Sequence, residues 1–282
     1  MIKISDSVKY IGVNDYDIDL FEGQYVLEKG MAYNSYVILD DKIAVMDTVD
    51  KIAVDRWQEY LSEVLGDRKP DYLVVQHLEP DHSYGIQVIA DKYPDMQLVM
   101  TGAALRMLPQ FCDVDPARVT AVKEGDTLKL GSHTLTFVTA PMVHWPEVMV
   151  SYESSEKILF SADAFGKFGT VDADEAWNCE ARRYYFNIVG KYGKPVQTLL
   201  GKAAKLDIAT ICPLHGPVIT DTIPEVIELY KKWSAYEPEN EGVFIACASI
   251  HGNTWLAAQK LKEILEEKGC PRVAIADLTR DD

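Results

Sequence analysis

The sequence predicts an α/β (α+β) protein in which a large N-terminal domain precedes a short C-terminal βαβ unit. Three features indicate this fold class. Residues 1–50 alternate polar and apolar side chains as strands do, several later apolar runs end in histidine or acidic residues, and an acidic linker precedes a strand, helix and strand pattern. We therefore place the two domains at residues 1–238 and 239–282.

The N-terminal domain begins with a predicted β meander. Its strands fall at residues 25–27, 35–39 and 43–46, and the turns between them contain glycine or consecutive aspartates. Apolar residues then recur at helical spacing from Val54, and Gly66 is suited to end that helix. The helix returns the chain to another predicted strand.

That strand, at residues 71–75, leads into the stretch around which the domain is organised. Four potential metal ligands lie within the six positions that follow Gln76, namely His77, Glu79, Asp81 and His82. Pro80 excludes a continuous helix through all four, because proline cannot occupy a helix interior without breaking it. We therefore expect these residues on a loop at the end of the strand.

Three further candidate ligands follow other predicted strands. They are His144 after a strand at 134–138, Asp163 after one at 157–162, and His215 after one at 207–212. A long helix is predicted from Glu180 to about Lys205, and its Tyr184 and Tyr185 are expected to pack in the core. Another helix is predicted from residue 222 to residue 236.

The seven strand-end groups comprise four imidazoles and three carboxylates. Because one tetrahedral ion takes about four ligands, this number indicates two metals that share one carboxylate. A nitrogen and oxygen set without thiolate suits iron or manganese as well as zinc. His133 lies in a half-polar strand without such a context, and we expect it at the surface.

The charge of the chain argues against two classes of partner. Forty-four acidic residues against 28 basic residues give a formal charge of −16, which repels phosphate backbones and anionic lipid surfaces. We therefore expect neither nucleic acid nor a membrane as partner. No apolar run approaches the roughly 18 residues of a membrane span, so the expected location is the cytoplasm.

The five cysteines are odd in number and scattered, and none forms a C-x-x-C pair. This pattern argues against a disulfide framework and against a thiolate metal site. We expect reduced and mostly buried thiols.

The C-terminal part follows an acidic linker at residues 237–242. A nearly continuous apolar strand at 243–248, a polar loop, a helix at 255–268 and a strand at 273–276 form the predicted βαβ unit. Within the helix, Leu261, Ile264 and Leu265 are expected to face inward. The loop lies at the positive end of the helix, where a phosphate can bind.

The ligand pattern resembles that of a known family. The motif H-x-E-x-D-H at residues 77–82, followed by single His, Asp and His ligands, is similar to the metallo-β-lactamase fold, an αββα sandwich, and more narrowly to the flavodiiron proteins. Further matching stretches are residues 33–36, 144–147, 162–166 and 212–217. Hydrolases of that fold carry histidine at the position of Glu79, and a carboxylate there shifts the metal preference from zinc toward iron.

The resemblance implies two non-haem iron ions and no catalytic residue beyond their ligands. One iron would be held by His77, Glu79 and His144, the other by Asp81, His82 and His215, with Asp163 between them. Glu147 stands where many members of the family have aspartate.

The C-terminal unit resembles the beginning of a flavodoxin-like domain. The residues similar to its FMN phosphate loop are Ser249, His251, Gly252, Asn253 and Thr254. A flavodoxin-like sheet has about five parallel strands, whereas only two are predicted here. We therefore expect an incomplete domain, either because the chain is a piece of a longer protein or because the flavin function is lost.

The resemblance implies an oxidoreductase that reduces dioxygen to water, nitric oxide to nitrous oxide, or both. FMN would relay electrons from a separate donor such as rubredoxin or a flavoprotein, within a homodimer or homotetramer. Because both substrates use the same ligands, the sequence does not rank them. Two alternatives remain: a dinuclear zinc hydrolase of the same fold, which Glu79 disfavours, and an interaction protein or inactive truncated fragment with a residual metal site.

Overall fold

A computed structural model describes residues 4–280. These residues form two compact units that divide between Tyr236 and Glu237. The first unit contains two main β-sheets with helices, and the second contains two strands and one helix among its described residues. The predicted mixed α/β class is confirmed.

The strands of the first unit are short, and most belong to two main sheets. In chain order they are β1 (Val8–Tyr10), β2 (Val13–Asp15), β3 (Leu20–Phe21), β4 (Tyr25–Val26), β5 (Met31–Tyr33), β6 (Tyr36–Ile38), β7 (Ala44–Met46), β8 (Tyr72–Val74), β9 (Gln97–Thr101), β10 (Val119–Val122), β11 (Thr127–Lys129), β12 (Thr134–Thr139), β13 (Met149–Glu153), β14 (Ile158–Phe160) and β15 (Thr210–Cys212). One sheet has the order β1-β6-β7-β8-β9-β10 and the other the order β11-β12-β13-β14-β15.

The helices of the first unit lie between these strands along the chain. They are α1 (Val54–Leu65), α2 (Pro80–Ser83), α3 (Gly85–Lys92), α4 (Gly102–Met107), α5 (Trp177–Tyr184), α6 (Gly193–Ala203) and α7 (Ile223–Ser234), and short 3₁₀ turns lie at Leu108–Gln110 and Pro116–Arg118. No helix within residues 4–280 combines the length and the apolar character that a membrane crossing requires.

The alternation of side chains along each strand builds a layered core. Tyr36 and Ile38 of β6 belong to one buried cluster, together with Phe137 and Phe160 from the other sheet. Val37, between them in sequence, belongs instead to the buried cluster that contains the helices. Because successive strand residues point to opposite faces, one cluster lies between the sheets and the other lies outside them. This is the αββα sandwich that the resemblance implied.

Helix α1 shows how an outer face is covered. Trp57, Leu61 and Leu65 recur at helical spacing, and all three are buried in the same cluster as Val45 of β7. Burial of one such side chain contributes about 1.5–3 kcal/mol. Gly66 ends the helix with a φ of 55°, a left-handed conformation that glycine adopts without strain.

Parallel pairing brings several strand ends to common edges. Strands β7, β8 and β9 are parallel neighbours in the first sheet, and β14 and β15 are parallel neighbours in the second. The chain therefore leaves these strands in the same direction within each sheet. Six of the seven candidate ligands follow the carboxyl ends of β8, β14 and β15, and His144 follows β12.

The single long helix expected after residue 180 is interrupted. Helix α5 is followed by a π-helical turn at Tyr185–Val189 and a 3₁₀ turn at Gly190–Tyr192 before α6 begins. Gly193 explains the break, because a Cβ atom there would lie 2.4 Å from the carbonyl oxygen of Ser234. The backbone must approach α7 closely, and glycine allows this at the cost of helix propensity.

The second unit consists of β16 (Val243–Cys247), α8 (Asn253–Glu267) and β17 (Val273–Asp277), and its two strands are parallel. Leu261 and Ile264 are 45% and 37% exposed, so the expectation that they face inward is wrong. A sheet of two strands is too narrow to cover the whole apolar face of the helix, so part of that face stays exposed. Ala258 is the buried hydrophobic residue of this helix.

The expectation of mostly buried thiols is also wrong. All five cysteines are free, but only Cys212 is buried. It lies in β15, which is covered on both faces, and Cys179 is exposed on α5. The other three lie at intermediate depth, because they occupy a loop or the end of an element.

Candidate metal centre

The path of the chain after β8 is set by a buried carboxylate from the neighbouring strand. Asp47, which follows β7, accepts hydrogen bonds from the backbone N–H of Gln76 at 2.7 Å and from its side-chain amide at 2.8 Å. The N–H of His77 approaches the same carboxylate at 3.3 Å. Burial, partly offset by these hydrogen bonds, raises the pKa of Asp47 to about 6. The contacts hold the turn that delivers His77.

The four residues of the H-x-E-x-D-H motif do not share one loop. His77 and Glu79 lie in the loop after β8, whereas Asp81 and His82 lie in helix α2, which begins at Pro80. Proline is well accommodated at the first helical position, because its missing N–H would have no partner there and its fixed φ suits a helix. The expectation of a loop is therefore wrong for Asp81 and His82.

The other three candidate ligands come from separate loops. His144 lies between β12 and β13, Asp163 follows β14, and His215 follows β15. The loop of His215 is held by Asn34, whose buried side-chain amide donates to the carbonyl oxygens of Pro213 and Gly216, both at 2.8 Å. The structure brings all seven predicted side chains together in two adjoining clusters.

The first cluster contains two imidazoles and a glutamate. Nε2 of His144 lies 3.0 Å from Oε2 of Glu79, and Nε2 of His77 lies 3.3 Å from the same oxygen. The two imidazole nitrogens are themselves 3.3 Å apart. Oδ2 of Asp163 lies 3.0 Å from Nε2 of His144 and completes this cluster.

The second cluster contains two imidazoles and an aspartate. Nε2 of His82 and Nε2 of His215 are 3.1 Å apart, and Oδ2 of Asp81 lies 3.4 Å and 3.3 Å from them. Oδ1 of Asp163 lies 3.2 Å from Nε2 of His82. The two oxygens of Asp163 therefore face different clusters, as a shared carboxylate between two ions would.

Hydrogen bonds on the far side of two imidazoles orient them. Nδ1 of His215 donates to the carbonyl oxygen of Ala32 at 2.8 Å, which leaves the lone pair of Nε2 directed at the cluster. Nδ1 of His77 lies 2.8 Å from Oε1 of Glu147, which also accepts the N–H of Leu78. Such contacts fix both the ring orientation and the nitrogen available to a metal.

Deep burial makes the charges of the centre strongly interdependent. Burial alone would lower the pKa of His144, but Asp163 and Glu79 raise it to about 9. Burial would raise the pKa of Asp163, but the surrounding imidazoles, foremost His77, hold it well below its usual range. Without a metal, the clusters therefore favour protons on nitrogens that face the carboxylates.

The oxygens of two aspartates provide the test of whether metal ions fit. Both carboxylate oxygens of Asp81 and both of Asp163 are buried, and within residues 4–280 none of the four accepts a well-aligned hydrogen bond, although imidazole nitrogens face three of them. A buried charge without partners is costly, unless a cation compensates it. Two divalent ions bound by imidazole and carboxylate would compensate these charges, so the residues fit such a centre.

Glu22, in the turn between β3 and β4, also adjoins the centre and was not predicted from the sequence. Its carboxyl group interacts with that of Glu79, and partial desolvation together with this interaction raises the pKa of Glu22 to about 7. The φ of Glu22 is 50°, an uncommon value for a residue other than glycine. The turn carries no local ligand motif, so only the folded hairpin shows that Glu22 adjoins the centre.

Tyr184 and Tyr185 are both fully buried, as expected for core residues. The ring of Tyr184 also packs against His215, with 5.5 Å between ring centroids. Phe21 contacts the same imidazole edge-on at 5.6 Å. Aromatic rings thus form an apolar wall beside the second cluster.

His133 is not a surface residue, and that prediction is wrong. It is only 5% exposed and lies between two carboxylates, with Nδ1 2.6 Å from Oδ2 of Asp40 and Nε2 3.1 Å from Oε1 of Glu156. It belongs to neither ligand cluster. The half-polar strand pattern gave no sign of these distant partners.

In the second unit, the predicted phosphate loop lies at the start of α8. Gly252 has a φ of 82° and precedes Asn253, the first helical residue. Oγ of Ser249 is buried and has no hydrogen-bond partner within the described residues, and His251 is exposed. Free N–H groups at a helix start and an unpartnered hydroxyl are suited to an anion.

Comparison with known proteins places this geometry in context. A model of the family described as "ODP family beta lactamase" matches residues 31–216. The nitric oxide reductase of Moorella thermoacetica is 31% identical over 275 residues, which cover 94% of this chain and 67% of that protein.

Two solved structures are similar over nearly the whole chain. The flavodiiron protein from Giardia intestinalis has a TM-score of 0.90 at 27% identity, with 99% of this chain and 70% of that chain covered. The rubredoxin oxygen:oxidoreductase from Desulfovibrio gigas has a TM-score of 0.88 at 28% identity, with 98% and 71% covered. All three relatives are therefore longer than this chain.

Proposed function

Because this chain belongs to the flavodiiron family of metallo-β-lactamase-like proteins, we propose that it is an oxidoreductase acting at a pair of non-haem iron ions. Its substrates are dioxygen, reduced to water, nitric oxide, reduced to nitrous oxide, or both. The names of its relatives include an oxygen oxidoreductase and a nitric oxide reductase, and both chemistries require the same kind of centre.

One observation supports the proposal most strongly. A single buried carboxylate, Asp163, directs one oxygen to each of two clusters, and the first cluster contains the carboxylate of Glu79 beside its imidazoles. A hard oxygen ligand at this position favours iron over zinc, as in an oxidoreductase rather than a hydrolase.

We assign the ligands by cluster. The first iron would be held by His77, Glu79 and His144, the second by Asp81, His82 and His215, and Asp163 would bind both. An iron pair supplies two electrons at one place and an electrophilic site for a diatomic substrate. The chain carries no separate catalytic residue in this assignment.

The remaining side chains prepare the site. Glu147 and the carbonyl group of Ala32 hold His77 and His215 in the orientation that metal binding needs, so little rearrangement is required. The aromatic wall of Tyr184 and Phe21 excludes water from one side of His215. Glu22 adjoins Glu79 on the side of the hairpin.

Residues 239–282 are, in this proposal, the N-terminal part of a flavodoxin-like domain. Ser249, His251, Gly252, Asn253 and Thr254 would form the phosphate side of an FMN site, in keeping with the unpartnered hydroxyl of Ser249 and the start of α8. The described strands β16 and β17 supply only this side of the site.

Residues 1–282 contain no C-x-x-C pair of the rubredoxin type, so electrons would come from a carrier outside this stretch. A rubredoxin or a flavoprotein is the proposed donor, in line with the name of the Desulfovibrio gigas relative. A homodimer or homotetramer is the proposed assembly.

Metal analysis and gas uptake test the function. Protein purified without added metal should contain two irons per chain, and after anaerobic reduction by a rubredoxin or flavodoxin donor with FMN present it should consume dioxygen or nitric oxide. Asp163→Asn should lose both irons, because the shared charge is removed. His133→Asn, at a buried histidine outside the clusters, should retain them. Two zincs per chain, or no uptake of either gas by the iron-loaded protein, would refute the proposal and favour the hydrolase.

A further inference from the structure

A cavity lies apart from the ligand clusters of the metal centre. It has a volume of about 370 Å³ and is lined by residues of β1, β2 and α1 together with Gly12, Tyr16 and Val171, none of which belongs to a ligand cluster. Cavities of roughly 300–1,000 Å³ accommodate small organic molecules. The lining side chains indicate which chemical class fits.

Gly12 lines the cavity where the chain passes close to Tyr10 and Tyr33. A Cβ atom at Gly12 would lie 2.5 Å from the hydroxyl oxygen of Tyr10 and 2.6 Å from the carbonyl oxygen of Tyr33. The Tyr10 side chain is buried, and its hydroxyl donates to Oδ1 of Asn34 at 2.8 Å. This phenol is already satisfied, so it offers its ring rather than its hydroxyl group to a ligand.

One aromatic wall is exposed but fixed. Tyr16 is 65% exposed, yet its hydroxyl accepts a hydrogen bond from the amide of Asn14 at 2.9 Å and donates to Oδ2 of Asp172 at 2.9 Å. Because these two hydrogen bonds already fix the Tyr16 side chain, it loses little conformational entropy when the ring of a ligand stacks on it. The cavity therefore presents preorganised aromatic surface to solvent.

A cation also lines the cavity. The guanidinium of Arg56 stacks over the ring of Tyr60, with its central carbon 4.5 Å from the ring centroid. Of the eight described residues that line the cavity, Arg56 alone is charged. Its ion pair with Glu59 on the same helix joins two side chains that are 57% and 59% exposed, and such surface pairs are weak. The guanidinium is thus available to a carboxylate, which it binds with two parallel N–H donors.

We propose that this cavity binds a planar aromatic monocarboxylate, with the ring against Tyr16 and the carboxylate on Arg56. One negative charge matches one cation. A dianion such as a phosphate monoester is disfavoured, because Asp172 lies at the rim and the chain has a net charge of −16.

Calorimetry of the metal-loaded full chain with indole-3-acetate as probe tests the site. We expect saturable binding to one site with a Kd on the order of 0.1 mM, a value ordinary for a ligand of this size. Tryptophol, which keeps the ring without the charge, and acetate, which keeps the charge without the ring, should each bind about tenfold or more weakly.

Variants separate this site from non-specific binding. Arg56→Gln should weaken binding of indole-3-acetate about tenfold or more, and Tyr16→Ala should weaken it by a smaller factor. Lys92→Gln removes a cation that stacks on Tyr93 elsewhere on the surface, and it should bind as the unchanged protein does. Both exposed cations can be replaced without disturbing the core, which unfolding curves check. No saturation at millimolar probe, equal affinity for tryptophol, or unchanged affinity in Arg56→Gln would overturn the proposal.

Discussion

Glu79 is the residue whose chemistry bears most directly on metal identity. Its carboxylate oxygen contacts both imidazoles of the first cluster, at 3.0 Å and 3.3 Å. A carboxylate is a harder ligand than an imidazole, so its presence favours iron or manganese relative to zinc. The metal preference of the first cluster therefore depends on one side chain that can be exchanged.

Glu79→His is expected to raise the zinc content and abolish gas uptake. The reason is that the first cluster would then present three imidazoles, a set typical of zinc sites. Elemental analysis of protein from cells supplied with both metals measures the change. Glu63→His adds a histidine on the exposed side of α1 and should leave the metal content unchanged. Equal iron loading and gas uptake in Glu79→His would contradict the ligand assignment.

His133 is expected to stabilise the fold and does not belong to the metal ligands. Burial alone would lower the pKa of His133, but hydrogen bonds to Asp40 and Glu156 raise it. Burial would raise the pKa of Asp40, but hydrogen bonds from His133 and its neighbours hold it below the usual range. The imidazolium ion thus joins the loop after β6 to the hairpin between β11 and β12.

The pH dependence of this contact follows from the raised pKa. A histidine whose pKa is higher in the folded state stabilises fully below its unfolded pKa of about 6.5, and the gain is lost as the pH rises through the folded value. His133→Gln should therefore cost about 1–3 kcal/mol at pH 5.5 and less at pH 9. Denaturant unfolding at both pH values measures the difference, with the exposed His251→Gln as control. An equal or larger cost at pH 9 would be inconsistent with a charged contact.

At the scale of elements, the loop of His215 is held by a segment that carries no ligand. Asn34, between β5 and β6, accepts from Tyr10 and donates to two carbonyl groups that flank His215. His215 itself donates to Ala32 in β5. The N-terminal meander thus supports the second cluster, although it contributes no ligand.

Asn34→Ala should destabilise the second cluster selectively. Loss of these buried hydrogen bonds is expected to cost about 1–3 kcal/mol and to free the loop that carries His215. After dialysis against a chelator, the metal content should fall from about two ions toward one per chain. Asn187→Ala, at an exposed asparagine on the π-helical turn, provides the matched control. Retention of both ions, or equal loss of both, would show that the loop does not depend on Asn34.

The helices show how far sequence patterns reach at this scale. Helix α1 was predictable because its apolar spacing and its terminal glycine are local features. Helix α2 and the π-helical turn were not predictable, because a proline can begin a helix as well as exclude one, and Gly193 is required only by the approach of α7. Local spacing also does not show how wide the sheet beneath a helix is. Leu261 and Ile264 were therefore expected to be buried, but they are exposed.

At the scale of the whole molecule, the two units differ in how much they bury. Both large hydrophobic clusters are made of residues from the first unit. The seven candidate ligands also lie in that unit. Ala258 is the buried hydrophobic residue of the second unit within the described part of the chain.

Truncation after Tyr236 should therefore leave a folded protein that retains two irons. Its thermal midpoint should lie within a few degrees of that of the full chain, since the hydrophobic core is preserved. Any FMN bound by the full chain should be lost, because the phosphate loop is removed. Calorimetry, metal analysis and flavin absorbance measure these three properties. A truncated chain that is unfolded or free of metal would show that the first unit depends on residues beyond 236.

The sequence by itself determined the α/β class, the layered alternation of the strands and the seven ligand candidates. These are encoded locally, by residue type and by spacing within a strand or a motif. Only the tertiary structure decided that Glu22 adjoins Glu79, that Asp40 and Glu156 enclose His133, and that Arg56 and Tyr16 share a cavity. Each of these pairs two segments that are distant along the chain, and the sheet topology that brings such segments together is a property of the whole fold.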